Sequence, residues 1–161
     1  MRISHVITSL HTGGCERQFV RLLPVWQQLG IESQVIALGE PGPQTEAVEA
    51  LGIPALHPRT RLGASPAGMP LRVARLLRRF QPDLVLVSAG FDAHTADPLA
   101  QLELSTDAYR LLTERVTALA DACCGGRVVS LLEGGYDLSA LADCVEAHVG
   151  ALLEAGQGGP A

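Results

Sequence analysis

Short apolar, β-rich runs alternate with longer stretches of helical period along most of the chain, and this alternation restricts the possible folds more than any other feature. The runs lie at 3–8, 33–38, 54–56, 84–88 and 127–132. Between them, residues 16–29 set Phe19, Val20, Leu22, Leu23 and Trp26 along one stripe, and 45–51, 71–80, 106–121 and 138–153 follow the same logic. Gly13 and Gly14 precede the first helix, Gly30 and Gly52 end helices, and Ser105 or Thr106 can cap the fourth. Strict strand–helix alternation implies parallel strands with helices on both faces. Right-handed crossovers leave few arrangements. The expected fold is a three-layer αβα, Rossmann-like parallel sheet of about five strands in the order 3-2-1-4-5. Function in such sheets sits at the carboxyl ends of the strands, here the loops at 11–14, 89–99 and 133–137.

A length of 161 residues fits one domain, expected over 1–155 with a frayed tail at 156–161. Residues 57–70, rich in Pro, Gly, Arg and Ala, read as a long loop. A net charge of −5 argues against a nucleic-acid partner, because phosphate neutralisation needs a basic surface. The basic cluster Arg72, Arg75, Arg78 and Arg79 has the helical spacing of a solvated face. No apolar run reaches the ~18–20 residues that span a bilayer, so no membrane partner is expected. The strand-like start has no leader pattern, and a cytoplasmic location is the expectation. Cys15, Cys123, Cys124 and Cys144 form no Cys-x-x-Cys pair, and reduced, mostly buried thiols are expected.

The first half is marked by His5-Val6-Ile7 in the opening run and by Gly13-Gly14-Cys15-Glu16-Arg17-Gln18 after it. Glycines there permit a tight turn and expose backbone N–H groups at a helix start, which suits an anion; a turn that merely needs positive φ is the other reading. Residues 1–80 resemble the N-terminal Rossmann-like domain of GT-B, family 4-like glycosyltransferases. In that family this loop faces the cleft where donor phosphate and acceptor meet, which implies substrate binding at Gly13 and Gly14. The second Rossmann domain that holds the nucleotide-sugar in those enzymes has no counterpart in the sequence.

The second half carries two motifs: Ser88-Ala89-Gly90-Phe91-Asp92-Ala93-His94 with Asp97-Pro98-Leu99, and Leu132-Glu133-Gly134-Gly135-Tyr136-Asp137-Leu138. Residues 80–155 resemble the C-terminal part of the histone-deacetylase-like zinc amidohydrolases. The resemblance implies that Asp92 is a zinc ligand, that Tyr136 is the catalytic hydroxyl on the oxyanion, and that Gly134 and Gly135 let backbone approach substrate. The tandem histidines and the upstream Asp-x-His of that family are missing, and the one Asp-x-His is Asp92-Ala93-His94. No cofactor is therefore expected beyond a weak zinc site on Asp92 and His94, against the alternative of a solvated polar loop.

With two incomplete sets of groups meeting near 78–85, the expectation is a recombined, non-catalytic α/β domain. Its alternatives are a remnant zinc-dependent deacetylase centred on Asp92 and Tyr136, and the acceptor-side half of a glycosyltransferase. The small-molecule ligand is left open, and apolar edges at a new junction would permit self-association.

Overall fold

The computed structural model describes residues 1–58, 69–98 and 103–157. Five strands and five helices alternate: β1 Arg2–Ile7, α1 Gly14–Gln28, β2 Glu32–Ala37, α2 Pro43–Ala50, β3 Ala55–Leu56, α3 Met69–Phe80, β4 Leu84–Gly90, α4 Thr106–Cys124, β5 Val128–Gly134 and α5 Leu138–Gln157. The strands form one parallel sheet in the order β3-β2-β1-β4-β5, as expected from the alternation. Register runs from Arg2 opposite Glu32 on one side of β1 and from Ile3 opposite Leu84 on the other.

Side-chain alternation along the strands sorts the core into two faces. Ile7, Val35 and Ala37 meet Leu23 of α1 and Val48 of α2. Val6, Ile36 and Val85 point the opposite way, onto Val73 and Leu77 of α3 and Ala120 and Cys124 of α4. Each buried valine, leucine or isoleucine among them contributes about 1.5–3 kcal/mol of transfer free energy, and each alanine less. A third cluster, Ala89, Phe91, Ala93, Tyr109 and Cys144, joins the end of β4 to α4 and α5. The switch in strand order between β1 and β4 leaves the ends of β1, β4 and β5 side by side, which places the three loops of interest together.

Helix boundaries show local causes. Ser105 accepts the Ala108 amide and caps α4, whereas Gly125 at φ 60° ends it with a left-handed turn. α5 continues through Gln157, past the expected start of the tail. α3 begins at Met69, so the expected loop at 57–70 is shorter at its far end. Its middle, 59–68, lies outside the described residues, as do 99–102 and 158–161 of the tail. Arg75, Arg78 and Arg79 are exposed on α3, as their spacing predicts.

Candidate functional site

The site begins where β4 and β5 end. Phe91 donates its amide to the Gly134 carbonyl at 2.8 Å, which locks the two motif loops side by side. Asp92 turns its carboxylate into the space left by two glycines. A Cβ at Gly90 would stand 2.9 Å from Asp92 Oδ1, and one at Gly134 would stand 3.1 Å from its Cγ. Those positions are glycine because the carboxylate occupies the room a side chain would take. Gly135, at φ +134°, makes the turn that follows, in a region L-residues rarely adopt.

Asp97 fixes that turn from below. It is buried, and its Oδ2 accepts the amides of Tyr136 at 2.6 Å and Asp137 at 3.1 Å. Asp137 in turn accepts the Ala140 amide at 2.8 Å in the first turn of α5. The Tyr136 backbone is thus anchored while its side chain is 57% exposed at the rim of the site.

His94 has a hydrogen-bond partner at each ring nitrogen. Its Nδ1 accepts the Ala96 amide at 3.1 Å, and its Nε2 lies 3.3 Å from Thr106 Oγ1, so both ring nitrogens serve the loop itself. Asp92, by contrast, lacks a cationic partner among its strongest influences. Burial, and after it the charges of Asp97 and Glu16, push its carboxyl above the ordinary range, against a backbone hydrogen bond that lowers it.

The first half supplies the facing wall. The Glu16 carboxylate lies over Gly13, in the place a side chain there would need, and accepts the Ser9 hydroxyl at 2.9 Å. The start of α1 therefore carries its own carboxylate where the sequence suggested an anion site on Gly13 and Gly14. Gly14 itself has open space around it. Cys15 Sγ approaches the Glu133 carbonyl at 3.8 Å, and burial, then Glu133, Glu16 and Asp92, raise its thiol. Ser88 donates to the Glu133 carboxylate. His5 is buried beneath Trp26, and His11 is exposed. The resulting mouth is acidic, a field that draws cations.

Sequence reasoning left open whether His5, His11 or Cys15 would approach Asp92, and it missed Glu16 and Glu133 around Cys15. Glu133 lies inside the second motif, but nothing in its spacing tells that Glu16, more than a hundred positions earlier, shares the same mouth.

A catalytic zinc centre needs three fixed protein ligands. Among the described residues, no three His, Cys, Asp or Glu groups stand together to hold a metal ion. The described residues do not by themselves fit a zinc site.

Geometry of this kind defines a three-layer α/β protein whose candidate site pairs a glycine-cradled carboxylate with an anchored tyrosine at the carboxyl ends of its strands. The family model of the histone deacetylase domain matches residues 55–152, and the chain belongs to that family. It is similar to histone deacetylase 14 of Arabidopsis thaliana, a chloroplastic protein, with 50% identity over 76 residues that cover 47% of this chain and 18% of that one. The solved structure of the histone deacetylase Clr3 shares the fold, with a TM-score of 0.65 at 23% identity over 95% of this chain and 27% of that one. An acetylpolyamine aminohydrolase from Burkholderia pseudomallei matches with a TM-score of 0.60 and 26% identity, covering 94% of this chain and 44% of that one. The chain spans less than a fifth of the curated relative and less than half of either solved chain.

These comparisons overturn the expectation of a recombined, non-catalytic domain. The deacetylase fold extends over 94–95% of the chain, so it takes in β1 to α2 as well as the motif-bearing half. The family match begins at residue 55, well before the supposed junction near 78–85. The likeness of the first half to glycosyltransferases finds no support. It reflects a β-α-β opening with a glycine turn, a pattern common to many doubly wound sheets. Among the described residues, no helix is long and apolar enough to cross a membrane.

Proposed function

We propose that this chain is a portion of a deacetylase-type amidohydrolase, with an acyl-amide hydrolysis site centred on Asp92 and Tyr136. One observation carries the reading: the Asp92 carboxylate is packed against Gly134, while Asp97 pins the Gly135–Tyr136 turn beside it. The names of the relatives, histone deacetylases and an acetylpolyamine aminohydrolase, point to an acetylated amine as the substrate class. An acidic mouth suits such a substrate, whose amine-bearing body is cationic.

In this reading Asp92, its affinity for protons raised by burial, accepts a proton from the attacking water. The water oxygen bonds to the acyl carbon, and the Tyr136 hydroxyl donates a hydrogen bond to the oxyanion that forms. The C–N bond then breaks, and the amine leaves with the proton. Gly134 and Gly135 give the acyl group access to backbone. Zinc would polarise the carbonyl where a complete ligand set exists; the described residues supply no such set, and no step is routed through the metal.

Acetate release from an acetyl-lysine peptide and from an acetylpolyamine, with and without added zinc, tests the assignment. Turnover should fall roughly 100-fold or more in Asp92→Ala and in Tyr136→Phe, both still folded by circular dichroism. Absence of acetate release from the wild-type chain under every condition, or wild-type rates in both variants, contradicts it.

A further inference from the structure

The reaction proposed above leaves one chain of polar side chains unused, and it runs behind the Asp92 loop. Thr113 of α4 is buried and donates its hydroxyl to the Tyr109 carbonyl, one turn back, at 2.8 Å. Its Oγ1 also lies 2.7 Å from Nδ1 of His148, a half-buried residue of α5. On the other side of that ring, Nε2 lies 2.9 Å from the Ser130 hydroxyl of β5. One imidazole thus ties three elements together.

The hydrogens of this chain have one consistent arrangement. A threonine hydroxyl carries a single hydrogen, and here the Tyr109 carbonyl takes it. Thr113 can therefore only accept from His148, which puts the ring proton on Nδ1. Burial lowers the proton affinity of the ring, so it is neutral near neutral pH and Nε2 is left as an acceptor. Ser130 donates to it. The bonds run in one direction, from Ser130 through His148 and Thr113 to the Tyr109 carbonyl, and bonds aligned in this way polarise one another.

A second contact of the ring reaches the site. Phe91 is 4% exposed and stands between two rings, with centroids 5.1 Å from Tyr109 and 5.6 Å from His148, the latter edge-on. Its amide joins the two motif loops at Gly134, and Asp92 follows it directly. A cavity of about 100 Å³ lies against Phe91, Tyr109, Thr113 and His148. Phe91 therefore has room to shift on that side, and the His148 ring, held at both nitrogens, limits the shift.

We propose that His148, held as its Nδ1–H tautomer between Thr113 and Ser130, is a positioning residue that sets Asp92 through Phe91. Every bond of the chain joins residues of α4, α5 and β5, so the role does not depend on what covers the edge of the sheet. Its consequence for catalysis rests on the hydrolase reading; the positioning itself does not.

NMR of the labelled imidazole nitrogens and amide exchange at Phe91 test it on the full chain. The wild-type ring should carry its proton on Nδ1, with Nε2 bare. Thr113→Val removes the acceptor and should move the proton to Nε2, facing Ser130, whereas Thr113→Ser should keep it on Nδ1. In Thr113→Val and in His148→Ala, the Phe91 amide should exchange roughly tenfold or more faster relative to the Leu38 amide, which bonds to Ile7 at the β1–β2 side of the sheet. Thr113→Ser should keep the wild-type ratio. For acetate release, kcat should fall roughly tenfold in Thr113→Val with KM unchanged. A wild-type ring protonated on Nε2 overturns the proposal. So does a ratio of Phe91 to Leu38 exchange that Thr113→Val and His148→Ala leave unchanged. A chain that releases no acetate sinks the hydrolase reading alone, and both NMR readouts still decide this one.

Discussion

His5 is 2% exposed, stacked on Trp26 with ring centroids 4.9 Å apart, and its pKa is lowered to about 4 by burial. The unfolded chain binds that proton near pH 6.5, so folding excludes it over the interval between the two values. Stability is fully present above about pH 6.5 and falls as pH drops toward about 4, by at most about 1.4 kcal/mol per pH unit from this residue. His5→Phe keeps an aromatic ring on Trp26 but removes the titration. Urea midpoints measured from pH 7 down to 4 should therefore decline less steeply in the variant, and parallel declines would contradict the account. His148 is shifted in the same direction by burial and adds a slope of the same sign to both proteins. Asp97 presents the opposite chemistry, an acceptor that two backbone amides require. Asp97→Ala leaves those amides unpaired and should cost about 1–3 kcal/mol each at most, with faster amide exchange at Tyr136 and Asp137 as the local signature.

Among the elements, α4 shows how a chain end is specified. Gly125 sits at φ 60°, where the Gly125 amide reaches the Asp121 carbonyl and the Gly126 amide reaches that of Ala120, both at 3.2 Å. Gly125→Ala places a Cβ in the left-handed region and should destabilise by about 1 kcal/mol, read as a lowered melting temperature with an unchanged spectrum. Glycines that close helices, together with short apolar, β-rich runs, make the order of elements legible in the sequence itself. The ends are less so. Gly30 and Gly52, at φ +73° and +75°, are readable as helix stops because no other residue adopts that backbone cheaply. β3 shrinks to Ala55–Leu56 because an edge strand ends where its pairing ends, which depends on β2 and not on its own residues. α5 outruns its periodic stretch because Gly156 and Gln157 continue the helix without joining its buried face.

For the molecule as a whole, the two motifs around Asp92 and Tyr136 are legible because a glycine-flanked carboxylate and a Gly-Gly-Tyr turn carry chemistry in a few adjacent letters. Their companions are not. Cys15, Glu16 and Glu133 meet only because the sheet order brings the ends of β1 and β5 to opposite sides of β4. Sequence also divides the chain between two families, since a βαβ opening with a glycine turn looks alike wherever a doubly wound sheet begins. If both halves make one deacetylase-fold unit around the candidate site, their packing demands a common transition. Trp26, the single tryptophan, reports on the first half from α1, whereas α4 and α5 in the second half contribute much of the far-ultraviolet circular dichroism. Urea unfolding followed by Trp26 fluorescence and by circular dichroism on the same samples should give superimposable curves with one midpoint. Two separated midpoints, with the fluorescence change complete while the helices of the second half remain, would contradict it.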